Sequence, residues 1–151
     1  MSYKSTKKLT VEGAFQHELE IPQTWEYAKF NDVIEIIGGS QPPKSDFYTE
    51  YAEDRVRLIQ IRDYKSDKNI VFIPKAKAKR FAGKDDVMIG RYGPPIFQIL
   101  RGLEGAYNVA LMKANPRDNI FSNNYLFYYL KNQNLFRYVE ACLLYTSDAA
   151  D

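Results

Sequence analysis

The sequence is poor in the residues that carry chemistry. Its 151 residues include one cysteine and one histidine, Cys142 and His17. A lone cysteine forms no internal disulfide and builds no thiolate metal cage, and it fits a reducing cytoplasm. His17 lies in a polar, lysine-rich opening segment with no partner for a catalytic triad. Asp85 and Asp86 do not converge, because neighbours on a strand point to opposite faces. Charge of one sign is also scarce: 21 Lys and Arg stand against 19 Asp and Glu, a net +2. That falls short of the basic excess typical of nucleic-acid binders. No apolar run approaches membrane-spanning length, and Met1-Ser2-Tyr3-Lys4 lacks the run of a signal peptide. The expectation is a soluble cytoplasmic protein with no membrane partner. Two glycine-rich stretches miss the phosphate-binding patterns. Gly38-Gly39-Ser40-Gln41-Pro42-Pro43-Lys44 lacks the Gly-Lys-Ser/Thr ending, and its prolines stop a helix from starting behind it. Gly90-Arg91-Tyr92-Gly93-Pro94-Pro95 lacks dinucleotide spacing. No catalytic residue, metal ligand or cofactor is expected.

What is present suits one globular domain with a single core. Hydrophobic residues make up 45% and charged residues 26%, while twelve tyrosines lift the aromatics to 15%. Tyrosine at this density suits a binding surface and the half-wet edge of a sheet equally well. Residues 1–20 show no sustained periodicity and read as a flexible lead-in, with order starting at Ile21 and Trp25 as a core anchor. Apolar runs predict strands at Val33–Ile37, Val56–Ile61, Asn69–Ile73, Asp86–Gly90, Ile96–Leu100 and Tyr107–Met112, with Gly102 and Gly105 in the last turn. Pro74 and Gly83 bracket an expected helix with Ala78, Phe81 and Ala82 inward and Lys75, Lys79 and Arg80 outward. Ser122 is an N-cap for a helix from Asn123, with Leu126, Tyr129 and Leu130 inward. Leu135, Phe136 and Val139 suggest a second helical piece. Strands first and helices late describe an α+β fold: a single domain with a mixed, mostly antiparallel multi-stranded sheet and late C-terminal helices.

Basic residues are the remaining candidates. Arg62 and Arg91 each end an apolar strand beside a tyrosine, Tyr64 or Tyr92. A strand end is a rigid mounting, and an arginine fork there can meet guanine O6 and N7. Lys75, Lys77, Lys79 and Arg80 can neutralise phosphates and add affinity without sequence information. The same residues read equally as the solvated face of a helix.

Several segments, taken in order, carry a family resemblance. The opening is similar in Ile21-Pro22-Gln23-Thr24-Trp25-Glu26 and in Val33-Ile34-Glu35-Ile36-Ile37-Gly38-Gly39-Ser40-Gln41-Pro42. Leu58-Ile59-Gln60-Ile61-Arg62-Asp63-Tyr64 and Asp86-Val87-Met88-Ile89-Gly90-Arg91-Tyr92-Gly93 resemble two later strand segments of the family. Ser122-Asn123-Asn124-Tyr125-Leu126-Phe127-Tyr128-Tyr129-Leu130 resembles its late Leu-Tyr-Tyr-Leu helix. In this order the segments resemble a target-recognition domain of the specificity subunit of type I restriction-modification systems. The resemblance implies a duplex DNA reader for one half of a split target. Its partners would be separate methyltransferase (modification) and endonuclease (restriction) subunits, which would carry the chemistry. Arg62, Tyr64, Arg91 and Tyr92 would then meet bases or grooves, with Gln41 and Lys44 assisting and Lys75, Lys77, Lys79 and Arg80 on phosphate.

The expected domain is 21–141. The family's glycine-rich turn, last strand and Leu-Pro-Pro-Leu-Glu-Glu-Gln segment do not follow, so the domain is expected to be incomplete at its C-terminal end. Residues 142–151 resemble translated sequencing-adapter read-through and are expected to be a non-native tail. A protein-interaction module with an aromatic-rich binding surface is the rival reading.

Overall fold

Short extended segments dominate the architecture, as seen in a computed structural model that describes residues 5–11, 17–93 and 96–132. The chain divides into two compact units at the Phe30–Asn31 boundary. In the first, β1 (Thr6–Val11) and β2 (His17–Pro22) form an antiparallel hairpin. The expectation of no regular element before Ile21 is thus corrected, and β2 runs through that position. Pairing supplies what periodicity does not show: Lys8 is opposite Glu20 across the ladder, and Thr10 is opposite Glu18. Trp25 is no core anchor. It is 63% exposed, just beyond the turn closed by its own N–H on the Pro22 carbonyl.

The single-turn α1 (Phe30–Val33) spans that boundary, and in the second unit it takes up Val33 and leaves β3 as Ile34–Gly38. Then come β4 (Arg55–Ile59), β5 (Val71–Pro74), β6 (Phe81–Ala82), β7 (Val87–Gly90), β8 (Ile99–Leu100), β9 (Gly105–Tyr107) and β10 (Leu111–Pro116), with α2 (Asn123–Leu130) last. They form two four-stranded sheets, ordered β3-β10-β7-β8 and β5-β4-β9-β6. Among the described residues every strand pairing is antiparallel except β4 with β9. The fold is α+β, with the strands of this second unit shared between two sheets instead of one.

The two sheets share a core in which Ile59, Ala82 and Tyr107 of one pack with Met88 and Leu111 of the other. Leu58, Val71, Ile73 and Ala106 form a second cluster, covered by Phe47, Val56 and Ala78. Where Leu58 and Ile59 lie beside Ala106 and Tyr107, both faces of the β4–β9 pair are therefore buried, and all four residues there carry apolar bodies. α2 packs against β7, β8 and β10 and buries Leu126, Phe127 and Leu130, while Tyr129 stays exposed. Ser122 caps it as the sequence implies, its Oγ accepting from the Tyr125 N–H at 3.1 Å.

The helix expected between Pro74 and Gly83 does not form. Pro74 stays extended (ψ 133°), Lys75–Lys77 make one 3-10 turn, and Ala78 is extended again (ψ 128°). Phe81 and Ala82 pair with Ala106 and Gly105, so sheet bonds replace the helical ones. Tyr107–Met112 is likewise two elements, β9 and β10, joined by a turn at Asn108–Ala110. Of the run Ile96–Leu100 only Ile99–Leu100 is a strand, since Phe97 turns the chain with φ 58°. Gly105 opens β9 at φ 148°, where a Cβ would sit 2.7 Å from the Arg57 carbonyl oxygen. Leu135, Phe136, Val139, Cys142 and the tail lie outside the described residues.

Candidate nucleic-acid interface

The Asn108-Val109-Ala110 turn is where four strands end together. β4 and β9 run parallel and finish side by side at Ile59 and Tyr107. β3 and β7 both run antiparallel to β10 and finish beside its start, with Gly38 facing Met112 and Gly90 facing Leu111. Backbone bonds lock the turn from every side. Asn108 N–H donates to the Ile59 carbonyl at 3.1 Å, and Leu111 N–H to the Asn108 carbonyl at 3.1 Å. Gly39 N–H donates to the Leu111 carbonyl, Ser40 N–H to that of Tyr107, and Arg91 N–H to that of Ala110 at 2.8 Å. The Asn108 side-chain oxygen accepts from the Ala110 N–H, a self-bonding turn that asparagine favours. Gly39 lies so close that a Cβ there would fall 1.8 Å from the Asn108 carbonyl oxygen. Below the turn the buried Tyr107 phenol donates to the Ile37 carbonyl at 3.0 Å. Its burial pushes the pKa up to about 12, so it remains a donor at neutral pH.

Three of the sequence-derived candidates gather on this platform. Arg91 and Tyr92 follow β7 directly and are exposed. The Arg91 guanidinium donates to the Val109 carbonyl at 3.4 Å and lies 5.9 Å from the Tyr92 ring centre. Gln41, also exposed, follows Ser40, whose N–H is bound to the turn. Arg80 reaches the same end of its sheet, because its carbonyl accepts from the Tyr107 N–H, and Lys79 precedes it. Both are exposed.

Other candidates are placed elsewhere. Lys75 and Lys77 sit at the opposite end of β4, where Pro74 faces Arg55. Lys75 N–H donates to the Asp54 carbonyl, and the Lys77 ammonium pairs with Asp46 at 2.7 Å. Lys44 opens the 3-10 turn Lys44–Asp46 that supplies this aspartate. The basic run of the sequence is therefore divided in space.

Arg62 is exposed, but it rides on a 3-10 turn, Ile61–Tyr64, beyond the strand end. Asp63 holds that turn by accepting the Gln60 N–H at 3.0 Å, with Arg57 at 3.8 Å and only 3% of the residue exposed. Burial raises the Asp63 pKa, and the Gln60 hydrogen bond and the Arg57 charge offset part of the rise. Tyr64 packs against the core shared by the sheets, its hydroxyl buried and its pKa raised by that burial. Its position is therefore internal.

Sequence reading missed Val109. It treated Tyr107–Met112 as one strand, although Asn108 was a turn signal within the run. Val109 is 45% exposed at the tip of the turn. It also missed the Arg57–Asp63 pair, whose members become neighbours only when the chain turns after β4.

Among the described residues no cluster of His, Cys, Asp or Glu could hold a metal ion. No described helix is long and apolar enough to cross a membrane. The platform offers a guanidinium, an amide and a phenol beside a locked turn, which suits recognition through hydrogen bonds and stacking.

The fold is shared with solved structures. A crystal structure of the HsdS subunit from Thermoanaerobacter tengcongensis is similar with a TM-score of 0.59 and 22% identity over 74% of this chain. A structure described as the basis of complex assembly and conformational transition of the type I R-M system is similar to the same degree. The chain spans 28% of the length of each. Residues 22–141 match the family described as the type I restriction modification DNA specificity domain. With most of its length inside that match, the chain belongs to the type I restriction-modification DNA specificity domain family.

Proposed function

We propose that this domain reads one half of a bipartite duplex DNA target on behalf of a type I restriction-modification complex. Its companions would be methyltransferase and endonuclease subunits in the cytoplasm, and it would add no cofactor or catalysis of its own. The observation that carries the reading is the gathering of Gln41, Arg91 and Tyr92 on one locked turn, in a chain of the DNA specificity family. Arg91 meets a guanine edge in the major groove, where its paired donors match O6 and N7. Gln41 suits the adenine N6 and N7 edge from the neighbouring loop. Lys79 and Arg80, at the same sheet end, meet phosphate and set register without reading sequence. Arg62 extends the reading surface from its own turn. Residues 21–141 are the recognition domain in this reading.

Selection from a random duplex pool, followed by binding measurements over a salt series, tests it. Enrichment of a short motif, with affinity falling steeply as salt rises, is the expected result. Binding indifferent to sequence would overturn it.

One observation favours a second reading. Tyr125, Tyr128 and Tyr129 are exposed on α2, and the Tyr125 and Tyr129 rings stack at 5.9 Å. Such a face suits a protein partner, and docking there would barely respond to salt.

A further inference from the structure

Val109 is an exposed valine on backbone that cannot yield. Its carbonyl takes the Arg91 guanidinium at 3.4 Å, so the side chain and the guanidinium share one tip of the molecule. The residues on either side are held by bonds to Ile59, Leu111 and Arg91, and Gly39 closes the space behind. A β-branched side chain is stiff at χ1, so locked backbone also fixes where its two methyl groups stand. Such a group makes no hydrogen bond. On the floor of the major groove only one feature answers it, the C5-methyl group of thymine.

We propose that Val109 is a specificity-determining residue that packs against the C5-methyl of a thymine next to the base met by Arg91. The inference rests on the DNA-reading function proposed above and deepens it. Arg91 supplies polar discrimination and Val109 apolar discrimination from the same turn. A short target read by this tip would therefore contain a thymine adjacent to guanine.

Deoxyuridine lacks only that methyl, so it isolates the contact. In the motif selected by the full chain, each thymine is replaced singly by deoxyuridine and affinity is measured for the native protein and for Val109→Ala. One replacement should weaken native binding roughly fourfold, the worth of one methyl group removed from water. The same replacement should leave Val109→Ala binding unchanged. Urea midpoints of the two proteins establish that the variant is folded. Native indifference to deoxyuridine at every thymine would overturn the proposal, as would equal sensitivity in both proteins. Those results leave sequence-selective binding intact and so spare the functional reading. Failure of the native chain to select any motif would sink both.

Discussion

The two ends of the β4–β9 pair carry similar charge in sequence and opposite character in space. At the end where the strands finish, Arg91, Arg80, Lys79 and Gln41 stand exposed around a turn fixed by backbone hydrogen bonds. At the other end the Lys77 ammonium is paired with Asp46 and, of the two lysines there, only Lys75 keeps its charge unpaired by a carboxylate among the described contacts. Counting basic residues therefore overstates what can meet a phosphate. A cation already paired gains less from a new anion. The contrast shows how a chain of net +2 can still gather exposed basic residues at one end of its sheets.

Breaking the rigid end should have the largest effect. Gly39→Ala forces a Cβ into the Asn108 carbonyl, and backbone on both sides leaves little room to relax. Stability should fall by about 3 kcal/mol or more in urea titration. Gly38→Ala, with nothing within 4 Å of its Cβ position, should change it by less than about 0.5 kcal/mol. Arg91→Ala should lower discrimination at a single base position by about 1–3 kcal/mol while the fold survives, as read by competition between single-base variants of the target. Arg80→Ala should weaken all sequences alike and reduce the salt slope by about 1, whereas Lys77→Ala should leave the slope unchanged. An equal loss of slope from both would erase the distinction between the two ends. Loss of the Lys77–Asp46 pair, which lies at the surface, should cost only about 0–1 kcal/mol in stability.

The turn beneath Arg62 adds a pH signature. The folded protein holds the Asp63 proton to higher pH than the unfolded chain, whose ordinary value is 3.8. Its contribution to stability therefore declines as pH rises from about that value through the raised folded pKa, and stays lost above it. Asp63→Asn should flatten this part of the urea-midpoint profile against pH, and an unchanged profile would place the titration elsewhere.

Strand positions were largely legible because β-branched runs such as Ile34–Ile37 and Val71–Ile73 declare themselves locally. The α2 cap was legible for the same reason, since Ser122 bonds within its own first turn. The segment 75–82 was misread because Pro74 and Gly83 are only local signals. The pairing of Phe81 and Ala82 with β9 is a long-range gain that overrode them. Arg91 and Tyr92 stood out as strand-end residues. Val109 did not: Asn108 signals a turn inside the apolar run, but that the turn stands exposed where strands finish follows only from its two flanks joining different sheets. Tyr64 looked like Tyr92 in sequence, but one packs on the core and the other faces solvent.

By itself the sequence determined the α+β class, the scarcity of catalytic side chains and the family resemblance, since each depends on residue type and order along the chain. Only the tertiary structure decided which basic residues share a surface, which of them are already paired, and that the platform for Arg91 is the Asn108–Ala110 turn. Those outcomes depend on strands far apart in sequence finishing at the same place, and on a glycine at position 39 that lets two backbones touch there.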